Sequence, residues 1–175
     1  MPYARVMATF VLTAIGDDRA GLVSMLADVV VEHGGNWERS QMAELAGQFA
    51  GIVLITVPDA RADGFVQALD ALGGVLDVRA HRGDDTRAAS QRVTLALVGT
   101  DRAGIVRELS AVLARHGVSI EQLVTATREA PMAGGMLFEA EAVLELPEGL
   151  TLDALRHALE SIAGELMVDI DLDDL

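Results

Sequence analysis

Cysteine is absent from the chain. That removes disulfides, thiolate metal sites and a cysteine nucleophile. Lysine is absent too, and the 13 basic residues are arginines scattered along the sequence. A nucleic-acid binder needs a clustered basic footprint to displace phosphate counterions. Here the formal net charge is −14, so direct binding to DNA or RNA is not expected, and the acidity reads as a device for solubility. Aromatic residues are few: four Phe, one Tyr and one Trp. Ala, Val and Leu must therefore fill the interior. No apolar run approaches the ~18 residues of a membrane span. The N-terminal Met1-Pro2-Tyr3-Ala4-Arg5-Val6 leads into a strand pattern and lacks the shape of a signal peptide. These absences predict a soluble cytoplasmic protein with no membrane partner.

What is present is a six-residue turn that occurs twice. The first copy is Gly16-Asp17-Asp18-Arg19-Ala20-Gly21 and the second, 83 residues later, is Gly99-Thr100-Asp101-Arg102-Ala103-Gly104. Each follows an apolar run that reads as a strand. Each opens a helix with one apolar stripe: Leu22, Val23, Leu26, Val29 and Val30, then Ile105, Val106, Leu109, Val112 and Leu113. The stripes match position for position, so a whole module is repeated. A chain of 175 residues has room for two small domains.

The pattern predicts strand at 6–15, helix from the turn to 32–33 with a stop at Gly34-Gly35, and strand at 36–46. A reversal at Gly47-Gln48 is followed by strand at 49–57, helix at 63–72 with Phe65, Leu69 and Leu72 on one face, and strand at 75–80. Residues 82–91 are polar and aperiodic, as in a linker. The order then repeats: strand 93–98, helix 105–115, strand 119–127, a longer loop at 128–135, strand 136–146, helix 152–163 and strand 165–172 before an acidic tail. Domains are thus expected at 1–81 and 92–175. A β-α-β-β-α-β unit is the ferredoxin-like plait, an α+β fold with an antiparallel sheet and both helices on one face. Each sheet then has a bare face, and tandem copies offer a remedy by pairing edges or stacking faces.

The turn is the expected site of function. Its glycines let a ligand come close to the backbone, and the N–H groups of the first helical turn favour negative charge. Asp18 is placed as a helix N-cap. A small molecule with a carboxylate suits this arrangement. The other candidates are weaker. His33 and His116 precede helix-ending glycines, where an imidazole favours the helix C-terminus. No Cys or clustered His supports a metal site, and no cofactor is expected. Asp17, Asp18, Glu38 and Glu44 stand beside no nucleophile or base, and phosphate-loop, nucleophile-elbow and dinucleotide motifs are absent, so an enzyme is not expected. RNA-recognition modules share the plait but stack bases on sheet aromatics, and the relevant strands offer only Phe10, Phe49 and Phe138. Trp37 reads as packing or interface. The 169–174 acidic run reads as a strand end and solvated tail, without the glycine of a calcium loop.

The motif Gly-x-Asp-Arg-x-Gly-(Leu/Ile)-Val after a strand, with a helix leading to His-Gly and then Asn-x-Glu or Ser-x-Glu, resembles the ACT regulatory domain. Residues 36–50, from Asn36-Trp37-Glu38-Arg39 to Gly47-Gln48-Phe49-Ala50, look like the matching stretch of the glycine cleavage system transcriptional repressor family, whose members hold tandem ACT domains. The resemblance implies a non-catalytic regulator. It implies binding of a small amino acid, glycine by family, where the turn of one module meets the second-strand start of its partner module. The positions that carry over are Gly16, Asp17, Asp18, Arg19, Ala20, Gly21 and Leu22 with Asn36, then Gly99, Thr100, Asp101, Arg102, Ala103, Gly104 and Ile105 with Ser119. It also implies a homodimer, and action through a protein partner such as a DNA-binding transcription regulator. Two departures stand out: Ala20 and Ala103 replace a Pro of many relatives, and Ser119 replaces the Asn seen at Asn36. The alternative they support is an interaction module of the same fold without ligand binding.

Overall fold

The computed structural model describes residues 6–83, 90–130 and 134–175. The chain divides into two compact units, Met1–Arg87 and Ala88–Leu175. Of the stretch expected as a linker, residues 84–89 lie outside the described residues, and strands take Arg82 on one side and Gln91 on the other.

The first unit runs β1 (Met7–Asp17), α1 (Leu22–Glu32), β2 (Asn36–Leu45), β3 (Gln48–Pro58), a 3-10 turn (Asp59–Arg61), α2 (Ala62–Asp70) and β4 (Asp77–Arg82). Its sheet order is β2-β3-β1-β4, with every pair antiparallel. Strand alternation decides which face is covered. Ala8, Phe10, Leu12 and Ala14 of β1 are buried with Val53, Ile55 and Val57 of β3. They pack against Leu22, Leu26 and Val30 of α1 and Phe65 and Leu69 of α2. Phe10 and Phe65 meet with ring centroids 5.8 Å apart. Trp37, expected in packing or at an interface, packs half-buried against this core. The opposite face carries half-buried Val11 and Leu54 and exposed Ile15 and Ile52.

The second unit repeats the plan: β5 (Gln91–Thr100), α3 (Ile105–Arg115), β6 (Ser119–Glu129), β7 (Met136–Leu146), α4 (Leu152–Leu166) and β8 (Val168–Asp174). Its order is β6-β7-β5-β8. Val93, Leu95 and Leu97 pack with Leu109, Leu113, Leu144, Leu155 and Leu159. Thr151 caps α4, its hydroxyl oxygen accepting from the Ala154 N–H at 3.2 Å. Both units are ferredoxin-like plaits. Among the described residues no helix is long and apolar enough to cross a membrane.

Three local expectations are corrected. The first hairpin turns at Ala46-Gly47, since Leu45 already pairs with Gln48. Both turn residues have positive φ, 52° and 80°, the mirror-image turn that matches strand twist. β4 begins at Asp77, two residues later than its apolar start, because Val75 and Leu76 are spent packing beneath β1. The last strand was expected at 165–172 with a tail beyond it, but α4 continues to Leu166 and the strand runs on through the whole acidic run. It is β8 itself, with Val168 and Leu172 buried and Asp169, Asp171 and Asp173 on the uncovered face.

Candidate functional site

Each six-residue turn joins a central strand to the first helix of its unit, and its two glycines do different jobs. Gly16 and Gly99 still belong to their strands. A Cβ on Gly16 would lie 2.6 Å from the Val75 carbonyl oxygen, and one on Gly99 would lie 2.7 Å from that of Met167. These glycines make room for the chain's own backbone at Val75 and Met167. Gly21 and Gly104 have φ of 96° and 97°, a left-handed conformation that L residues with a Cβ avoid. A Cβ on Gly21 meets nothing within 4 Å. This second glycine is the one that leaves a clear approach.

The expected cap is corrected here. Gly21, not Asp18, is the N-cap of α1, and Gly104 is that of α3; no side chain caps either helix. Their carbonyl oxygens accept the first helical bonds, from the N–H groups of Met25 and Glu108, each at 2.9 Å. Asp18 lies three residues too early to reach the helix start, because the left-handed glycine inserts an extra bend. Its backbone N–H donates instead to the Gly47 carbonyl at 2.9 Å, and the Asp101 N–H donates to that of Met136 at 2.8 Å. The Asp17 carboxylate accepts from the Gln48 side-chain amide at 2.7 Å. The turn is therefore tied to the end of the neighbouring hairpin. Gly47, Gln48 and Met136 thus belong to the turn's frame, a link that the sequence did not show, although it marked Gly47-Gln48 as a reversal.

The first turn gathers Asp17, Asp18, Arg19, Ala20 and Gly21, all exposed, in front of buried Leu22. The second gathers Thr100, Asp101, Arg102, Ala103 and Gly104 in front of buried Ile105. Arg102 forms a bidentate pair with Glu108, at 2.8 and 3.4 Å. Its remaining Nε–H is buried and unpartnered among the described residues. A shallow depression of about 400 Å³ adjoins the strand end of this turn, lined by Gly99, Thr100, Leu137, Met167 and Asp169 among others.

Neither unit brings its second-strand residue to its own turn. On β3, Gln48 faces Asp17 while Thr56 faces Asn36, and these lie about 26 Å apart along an extended strand. Asn36 bonds to Glu38 at 2.8 Å, and Thr56 donates to the same carboxylate at 3.0 Å. In the second unit Thr100 pairs with Leu137 and Ser119 with Glu145, again at opposite ends of β7.

The histidines behave as helix ends. The His33 ring Nδ1 lies 2.8 Å from the Val29 carbonyl oxygen, and the ring packs edge-on to Phe65. His116 ends α3 in the same way through its backbone. Among the described residues no group of three or more His, Asp or Glu is placed to hold a metal ion.

A model of the ACT domain family matches residues 8–81 and again 91–173. The crystal structure of an unknown protein from Galdieria sulphuraria superposes with a TM-score of 0.87 at 31% identity, over 97% of this chain and 99% of that one. A proposed glycine cleavage system transcriptional repressor superposes with a TM-score of 0.69, over 97% of this chain and 98% of that one. At 18% identity that likeness concerns the fold. The phosphoserine phosphatase SerB2 of Mycobacterium tuberculosis is 28% identical over 93% of this chain, which spans only 40% of that enzyme's length.

Proposed function

The chain belongs to the ACT domain family, and we propose that it is a non-catalytic regulator that senses a small amino acid. One observation carries the reading. Both repeats present a glycine-capped helix start with no side-chain cap, beside an arginine and carboxylates. Backbone N–H groups and Arg suit a carboxylate, and Asp side chains suit an ammonium group, so the turn has the polarity of an amino acid zwitterion. Glycine is the first candidate, by resemblance to the glycine cleavage repressors. Ligand binding then shifts the population of one module arrangement, and with it the affinity for a protein partner. With a net charge of −14, control of transcription runs through a DNA-binding partner. No nucleophile–base pair stands at either turn, which supports a regulator over an enzyme.

Thermal unfolding against the free amino acids tests this. A ligand at ~100 times its dissociation constant adds ~2.7 kcal/mol, a rise of roughly 5–10 °C for a chain of this size. A selective rise is expected, and a flat panel overturns the sensor. A gel shift at low salt with the isolated protein is expected to show no retardation; firm DNA binding overturns the partner-mediated reading.

A further inference from the structure

The two turns are not equivalent, and the difference lies on one helix position. Glu108 follows Gly104 by four residues; the residue that follows Gly21 by four is Met25. The Glu108 carboxylate grips Arg102 through two nitrogens. One of its oxygens lies 3.6 Å from where a Cβ on Gly104 would sit. An internal carboxylate thus already occupies the space between the turn's arginine and the glycine-capped helix start. In the first turn the same space is empty. No acidic residue stands in the first turn of α1, nothing lies within 4 Å of the Gly21 Cβ position, and Arg19 is exposed with no ion pair among the described residues.

We propose that the first turn is the ligand-competent one, and that Glu108 is a built-in substitute which keeps the second turn closed to an external carboxylate. The inference rests on the sensor reading above and sharpens it. The Arg102–Glu108 pair shows in this chain's own geometry where a carboxylate goes when this frame holds one: onto the arginine, beside the capping glycine. In the first unit that carboxylate must come from outside. The first turn also adds a carboxylate that the second lacks, since Asp17 stands where the second copy has Thr100. An external ligand there meets Arg19 with its anionic end, and Asp17 and Asp18 with a cationic end. A zwitterionic α-amino acid satisfies both, whereas a simple carboxylate such as acetate satisfies one. The depression beside Gly99 does not reopen the second site, because its lining holds the Asp169 carboxylate and no cation.

Calorimetric titration of the intact chain with the protein amino acids, glycine first and acetate as control, tests the proposal. One molecule per chain is expected, with acetate silent. Arg19→Gln, at an exposed position that leaves the fold intact, is expected to weaken binding at least tenfold. Glu108→Gln is expected to raise the stoichiometry to two. Adding Arg102→Gln to that variant is expected to return it to one, which distinguishes Arg102 from the neighbouring exposed Arg107. Two molecules per wild-type chain, or one that survives Arg19→Gln and is lost in Arg102→Gln, overturns the assignment while the sensor reading stands. Silence of every amino acid with wild type and Glu108→Gln alike overturns the sensor reading itself, and this inference with it.

Discussion

In the first unit Arg19 points into solvent beside an unobstructed glycine, while in the second Arg102 is held by Glu108 against the matching glycine. The backbone frame is the same in both: φ of 96° and 97° at the cap, and equal 2.9 Å bonds closing the first helical turn. Duplication therefore preserved what the fold requires and let the charged positions diverge. Gly21 and Gly104 are fixed by a conformation that only glycine takes readily. Met25 packs half-buried against its unit's core, whereas Glu108 is exposed, and that one exchange decides whether the turn's cation is free. The uncovered sheet faces diverge in the same way. The first leaves Ile15 and Ile52 exposed, whereas the second sets Glu141, Asp171 and Asp173 beside exposed Val124.

The largest effect expected from a single change comes from the cores, where the first unit relies on an aromatic cluster and the second on leucines. Phe65→Ala removes a fully buried ring that contacts Phe10 and His33 and is expected to destabilise by about 3–5 kcal/mol. Leu155→Ala, also fully buried, costs about 2–5 kcal/mol. Denaturant unfolding measures both, and a loss below ~1 kcal/mol at Phe65 breaks the view that this ring anchors its unit. Next come the strand-end glycines. Gly16→Ala and Gly99→Ala push a methyl against a carbonyl oxygen at 2.6 and 2.7 Å, at about 1–3 kcal/mol.

Gly21→Ala, in open space, and Gly104→Ala, with a Glu108 oxygen 3.6 Å away, place an L residue at positive φ, and each is expected to cost about 1–2 kcal/mol. Equal losses would confirm that the frame is shared, and unequal ones would show that Glu108 contributes to it. The smallest stability effect belongs to Glu108→Gln. Its ion pair is about half exposed, so the expected loss is at most ~1 kcal/mol. The same change is the one expected to alter ligand binding most. A thermal midpoint that drops by more than a few degrees would instead assign Glu108 a structural role.

Much of the fold was legible because two periodicities carried it. The 3.6-residue stripes at Leu22–Leu26–Val30 and Ile105–Leu109–Val112 placed α1 and α3, and alternation along β1 and β5 set the covered face. The errors fell where tertiary contact overrides local pattern. Val75 and Leu76 look like strand but pack beneath Gly16. Glu165 and Leu166 look like the start of the last strand but continue α4, and the strand extends past Leu172 to Asp174. The turn was found through repetition, and its chemistry was partly misread. Asp18 has the right side chain for a cap and the wrong backbone path, because a left-handed glycine separates it from the helix. The ties to Gly47 and Met136 are bonds between backbone groups and leave no trace in residue type. Glu108 had a signal, a carboxylate where the aligned copy has Met25, but only the pairing with Arg102 gives that difference a meaning.

The most direct test of the central claim is an amide NMR titration of the isotope-labelled chain with glycine, or with whichever amino acid raises the unfolding temperature most. The account predicts shifts concentrated at the amides of residues 18–25, with the equivalent residues 101–108 unmoved. Shifts confined to the uncovered sheet faces, or equal shifts at both turns, would contradict it.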